Sequence, residues 1–283
     1  GGIHDHLAGG FHRYTVDRAW RLPHFEKSLP DNALLARAYL RAWLATENEA
    51  HLRVATSTLD FMLTWLRDPA GGFYSALDSS SDGEAGGYYL WSRREIESLL
   101  PAGPARRLCL AYGINPNGDR VSRHVLVKNQ SISEVAVAER MSLQTLEEEL
   151  AESLLSLRAA RACRQQPRLD QKIVTAWNGL AIGALAEAGA VLSNERYLQT
   201  ARETADYLLD THRSENRLLH HRIGENNGHE AFLDDFAFLS QGLLELYNST
   251  LREEYLAESC RLAQEAIFRF PTTNGAMYYS PRP

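Results

Sequence analysis

Proton-transfer chemistry finds its densest set of side chains in Pro23-His24-Phe25-Glu26-Lys27, where an imidazole, a carboxylate and an ammonium group share one short loop. Such a set suits acid–base work or the holding of sugar hydroxyls, although His24 alone reads equally well as a structural hydrogen-bonding group. Asp234 and Asp235 are adjacent. Burial of such a pair pushes one carboxyl up and leaves a protonated acid beside an ionised base. The plainer reading is that Asp234 caps a helix and Asp235 complements its dipole. Asp170 and Lys172 either line a site or form a cap and a surface ion pair worth about 0 to 1 kcal/mol. Trp20, Trp91 and Trp177 offer flat faces to a sugar ring, or simply fill a core. His4-Asp5-His6, with His12 nearby, lacks a third ligand at a metal spacing, so no metal is expected. Gly83 and Gly86-Gly87 have no lysine at phosphate-loop spacing, so no nucleotide is expected, and no cofactor.

These residues need elements to hold them. The run from Ile173 to Leu192 is apolar on nearly every face, which predicts a helix surrounded by protein. Glu195 to Leu209 carries Tyr197, Leu198, Ala201, Ala205 and Leu208 on one side and Arg196, Glu203 and Asp206 on the other, which predicts an outer helix. The same order occurs earlier, with an inner helix over Ala33 to Thr46 capped by Asp31 and an outer one over Ala50 to Leu66. It occurs again later, with Ala231 to Asn248 inside and Glu253 to Phe270 outside. Between the pairs lie short strand signals, Phe73 to Asp78, Gly87 to Trp91 and a hairpin over Thr273 to Tyr279. Ser92 and Glu95 form a capping box that opens a helix to Leu100, followed by helices over Ala105 to Tyr112 and Leu143 to Cys163. Gly113 to Ser133, with Asn115-Pro116-Asn117-Gly118-Asp119, reads as loop.

A chain of 283 residues with 44% hydrophobic content has the material for a sizeable core. Its net charge of -6, with both signs interleaved, excludes a basic nucleic-acid footprint and a polybasic membrane patch. No run reaches the length of a membrane span. Cys109, Cys163 and Cys260 stand far apart and offer no attacking and resolving pair, which fits a reducing cytoplasm and predicts no thiol–disulfide chemistry.

Repeated inner–outer pairs predict an all-α fold, an (α/α) toroid with short β-hairpins between helix pairs, built as one domain over residues 1–283. Three complete pairs leave a six-pair toroid incomplete, so the sequence reads as part of a longer protein. Parallel inner helices start at one end. That end should collect Asp31, Lys172, Trp177 and Asn178 as ligand contacts and Asp234 and Asp235 as acid–base groups. The Pro23–Lys27 loop enters the first inner helix and should bring His24 and Glu26 into the same pocket, with Arg13 and Tyr14 beside them.

Four blocks, Gly9-Gly10-Phe11-His12-Arg13-Tyr14, Pro23 to Lys27, Asp170-Gln171-Lys172 with Thr175 to Leu180, and Phe232 to Leu239, stand in an order that resembles the thioredoxin-domain-containing spermatogenesis-associated family. The resemblance implies an N-terminal thioredoxin-like domain, missing from this chain, and a six-hairpin glycosidase-like toroid similar to N-acylglucosamine and cellobiose 2-epimerases. Ala85 stands where the family usually has Glu, and Ser28 and Pro30 stand where it has Met and Tyr. The reading is a carbohydrate-active enzyme. As a sugar 2-epimerase it would use a group such as His24 to take the proton next to an open-chain carbonyl. As a glycoside hydrolase it would place two carboxylates about the bond. The alternative is a toroid that binds a glycan or a protein without catalysis, as scaffold for the thioredoxin-like domain.

Overall fold

The computed structural model describes residues 2–114, 122–128, 130–214, 217–271 and 276–280. The expected Asn115–Asp119 turn and the Thr273–Gly275 part of the last hairpin lie outside the described residues. Among the described residues the helices are α1 (Leu29–Thr46), α2 (Glu49–Phe61), α3 (Arg93–Leu99), α4 (Ala102–Ala111), α5 (Ile132–Glu139), α6 (Leu143–Ala162), α7 (Thr175–Val191), α8 (Glu195–Thr211), α9 (Leu233–Thr250) and α10 (Glu253–Arg269). All described strands are two or three residues long. The chain divides into two compact units, one of Gly1–Lys27 with Leu77–Arg168, the other of Ser28–Ala76 with Leu169–Pro283.

The second unit holds the three helix pairs. Helix α7 packs on α1 at one side and α9 at the other, while α2, α8 and α10 back α1, α7 and α9 respectively. Burial follows this layering: α7 is enclosed along almost its whole length, whereas α8 buries only one face, with Tyr197, Thr200, Ala201, Thr204, Ala205 and Leu208. The expected inner and outer layers are present, as an arc of an α/α toroid. The inner helices run parallel. Near their N-termini Ala176 of α7 bonds to Asp235 of α9, and further along Arg37 of α1 bonds to both Glu187 of α7 and Glu245 of α9.

Close approach of α7 and α9 depends on two glycines. A Cβ on Gly179 would lie 2.5 Å from the Phe238 carbonyl, and one on Gly242 would lie 2.3 Å from the Gly179 oxygen. Alanine raises helix propensity by about 1 kcal/mol, but overpacking against backbone costs about 1 to 3 kcal/mol. Gly179→Ala is therefore expected to destabilise the chain by up to about 2 kcal/mol on balance. A urea midpoint equal to or above that of the parent would contradict the packing account.

Helix α1 starts earlier than its apolar pattern suggested. Ser28, not Asp31, is the N-cap: its hydroxyl accepts from the Asp31 amide at 3.4 Å and donates to the Asp31 carboxylate. Pro30 fits this first turn, where no amide proton is needed. Helix α2 passes into a π-helical turn over Met62–Leu66.

In the first unit α3, α4, α5 and α6 pack on one another around Leu108, Cys109, Leu146, Leu150 and Leu157. The Ser92–Glu95 capping box is present at α3. A second capping box, Ser131 with Glu134, opens α5 inside the stretch read as loop. The expected strand near Trp91 pairs with Arg123–His124, while Ser80–Ser81 turns back on Glu84–Ala85.

Candidate functional site

Helix α7 begins without a side-chain cap of its own, because Val174 has no polar group to offer. Its first amides are satisfied from elsewhere in the second unit. Thr175 donates its N–H to the His220 carbonyl at 2.9 Å and its hydroxyl to the Leu219 carbonyl at 2.5 Å. The Ala176 N–H reaches Asp235 Oδ1 at 2.9 Å. This cap in trans ties the starts of α7 and α9 together.

Asp235 is fully buried and its carboxylate is committed: Oδ2 accepts from the Phe232 amide at 2.9 Å and from His220 Nδ1 at 2.8 Å. The expected acid–base role of Asp235 gives way to positioning, since no oxygen faces solvent. Asn178 is also fully buried, with Oδ1 taking the Phe73 amide at 2.7 Å and Nδ2 donating to the Phe73 and Val174 carbonyls at 3.0 and 2.9 Å. Its expected ligand contact likewise gives way to a cross-link, one that holds α7 to the segment before it in the unit.

Asp234 differs from its neighbour. It is half-buried, with Oδ1 on the Asp235 amide at 3.1 Å and Oδ2 taking the Tyr279 hydroxyl at 3.2 Å. Burial, and then the adjacent Asp235 charge, raise its carboxyl above the usual range. Tyr279 stacks on Phe232 at 5.1 Å with rings 10° apart. Lys172 and Asp170 form a half-exposed ion pair at 3.0 Å, the surface pair that was the plainer expectation. Trp177, half-buried, sits in the first turn of α7, and Asp31 in the first turn of α1.

His220 was not singled out from the sequence. It lies between Leu218 and the strand His221–Ile223, whose register places Val174 opposite His221 and Ile173 opposite Arg222. That pairing brings the His220-His221 step against the start of α7. The Asp235 hydrogen bond raises the His220 pKa above its ordinary value. Burial, then His220 and His229, lower that of His221. A His-His step closing a hairpin, followed by Asp235, was the available signal, but nothing in the spacing says that the two meet.

Arg13, Tyr14, His24 and Glu26 belong to the first unit, and there the structure brings them together. The strands Tyr14–Thr15 and Pro23–His24 pair so that Tyr14 lies opposite His24, their rings stacked at 4.8 Å. Arg13 bonds Glu26 Oε2 at 2.9 Å, and His24 Nδ1 is 3.8 Å from the same oxygen. Lys27 faces inward, to Asp5 at 2.7 Å. Among the described residues no group of three or more His, Cys, Asp or Glu side chains is placed to hold a metal ion, and no helix is long and apolar enough to cross a membrane. The three cysteines are free.

No family model matches the chain. Spermatogenesis-associated protein 20 of Homo sapiens is 32% identical over 99% of this chain and 40% of its own length. The Mus musculus protein of that name is 32% identical over 97% of this chain and 40% of its own length. An uncharacterized protein of Caenorhabditis elegans is 31% identical over 97% of this chain and 42% of its own. The chain thus spans about two fifths of these curated relatives. Among solved structures, a D-mannose isomerase aligns over 99% of this chain and 70% of its own, with TM-score 0.43 and 13% identity. A cellobiose 2-epimerase from Bacillus thermoamylovorans aligns over 99% and 88%, with TM-score 0.35 and 13% identity.

Proposed function

This chain belongs to the family of spermatogenesis-associated protein 20, and from that premise we propose a carbohydrate site at the N-terminal end of the second unit's inner helices, worked by epimerase- or glycosidase-type acid–base chemistry. The observation that carries the reading is Asp234, a half-buried carboxyl raised by burial and by the Asp235 charge, yet still reached by solvent. A carboxyl raised in this way and open to solvent is suited to exchange a proton with a sugar oxygen. Trp177 supplies a flat face for the ring, and Lys172 and Asp31 supply donors and acceptors for hydroxyls. The protein works in the cytoplasm, alongside the thioredoxin-like domain that the family resemblance implies.

One observation favours a second reading, a glycan- or protein-binding scaffold. Asp235 and Asn178, two of the polar residues expected to serve a ligand, spend their atoms on backbone amides and carbonyls. Activity on a panel of aldoses and aryl glycosides separates the two. Asp234→Asn is expected to lower turnover by about 10²- to 10⁴-fold while leaving sugar affinity within about twofold. Sugar binding without turnover in the parent chain would favour the scaffold, and unchanged turnover in the variant would remove Asp234 from the chemistry.

A further inference from the structure

His220 is held from three sides. Its backbone N–H donates to the His229 carbonyl at 2.8 Å, its carbonyl accepts from Thr175 at 2.9 Å, and its Nδ1 meets Asp235 Oδ2 at 2.8 Å. An ionised carboxylate can only accept, so the ring proton sits on Nδ1 and the Nε2 lone pair is left facing away from Asp235. Asp235 is itself fixed by the Ala176 and Phe232 amides, which leaves the imidazole little freedom to turn. About a quarter of the His220 side chain remains exposed, against none of Asp235. The ring also meets Phe232 edge-on at 5.1 Å.

We propose that His220 is the proton acceptor of the carbohydrate site, oriented by Asp235 as a positioning residue, and that the site enolises open-chain sugars rather than hydrolysing glycosides. The inference rests on the carbohydrate reading above and narrows it. Hydrolysis by two carboxylates requires both to flank the bond, and Asp235 is enclosed, so the adjacent Asp234–Asp235 pair does not supply them. An imidazole whose Nδ1 is held by a buried carboxylate suits abstraction next to a carbonyl instead. Nε2 takes the proton from C2, the C2–H electron pair becomes the C1=C2 bond, and the carbonyl π pair moves to O1. The product is an enediolate beside the imidazolium. On reversal the O1 pair re-forms the carbonyl, and the C1=C2 pair takes from the imidazolium a proton that has exchanged with solvent. Among the described residues the charged or titratable groups that act on the imidazole are Asp235 and Asp234 from α9 and the adjacent His221, which His229 and Lys172 reach in turn.

The test uses the full 283-residue chain with glucose, mannose, N-acetylglucosamine and cellobiose in D₂O, following the C2 proton by NMR. Exchange is expected for at least one sugar, and His220→Gln should slow it by at least about 100-fold with affinity retained. Asp235→Asn should move the midpoint of the pH profile to lower pH, since the carboxylate that raises the His220 pKa is gone; a purely structural role would leave the midpoint in place. The ¹⁵N spectrum of the parent needs no variant, and the Nδ1–H form is expected for His220. Exchange undiminished in His220→Gln, or an Nε2–H form in the parent, would overturn the inference and leave the carbohydrate reading standing. A sugar that binds but does not exchange would do the same. Neither binding nor exchange would overturn both.

Discussion

Lowering the pH from about 7 to about 5 is expected to remove most of the stability of the first unit. His12 is buried there and His4 and His6 are half-buried with enclosed Nε2 atoms, and burial lowers His4, His6 and His12 from 6.5 to about 4, about 3 and about 3. Charge is disfavoured on them in the folded state. His12 donates to the Phe25 carbonyl at 2.9 Å, and His4 and His6 share a contact at 3.4 Å between their Nδ1 atoms. Their folded pKa values lie below the unfolded one, so the unfolded chain binds protons first. Their contribution is full above about pH 6.5 and is lost as pH falls towards the folded values. At about pH 5 each histidine costs about 2 kcal/mol, or about 6 kcal/mol for three, within the whole stability of an ordinary domain. His220 in the second unit has the opposite sign: raised by the Asp235 bond, its contribution is present below its unfolded value and lost as pH rises through the folded one. Melting followed by the emission of Trp91, buried in the first unit, should fall steeply between pH 7 and 5. A flat profile across that range would contradict the neutral-histidine account.

Asp5→Ala is expected to cost about 3 to 5 kcal/mol, the scale for breaking a buried ion pair from one side. The Asp5 carboxylate takes Lys27 Nζ at 2.7 Å, Arg161 Nη1 at 2.9 Å and the Leu7 amide at 2.9 Å. Lys27 and Arg161 are both buried, over the Tyr89 ring at 5.1 and 5.6 Å. Two cations and one anion already leave this cluster positive, and burial brings Lys27 down to about 8. Removal of the anion leaves two buried positive charges, with Lys27 Nζ still on the Gly9 carbonyl at 2.8 Å, and favours loss of the Lys27 proton. Urea unfolding measures the loss. Adding Lys27→Met and Arg161→Met to Asp5→Ala should recover much of it, because the cost lies in the orphaned charges. A single-variant loss below about 1 kcal/mol would mean that water reaches the cluster.

Much of the layering was legible because burial on all faces and burial on one face leave different apolar patterns. Ile173 to Leu192 and Glu195 to Leu209 show the difference directly, and the α7 and α8 burial patterns follow it. Local capping chemistry was readable at Ser92 and Glu95. The equivalent Ser131–Glu134 pair was hidden by the loop signals before it, and the Ser28 cap by the more conspicuous Asp31. What the sequence withheld were meetings across the chain. Asn178 acts on Phe73, Asp235 on Ala176 and His220, and Asp5 on Arg161. A carboxylate or amide shows its type in a sequence but not its partner, and the partner decides whether it caps a helix, steadies an imidazole or waits for a ligand.

The most direct test of a carbohydrate site at the inner-helix ends is a titration of the four sugars into ¹⁵N-labelled chain, read by amide shifts. Perturbations are expected to cluster at Lys172, Trp177, His220, Phe232, Asp234 and Tyr279, with saturable dependence on one sugar and little change at the opposite end of α7 near Glu187. Shifts absent for all four sugars, or centred on other surfaces, would contradict the account.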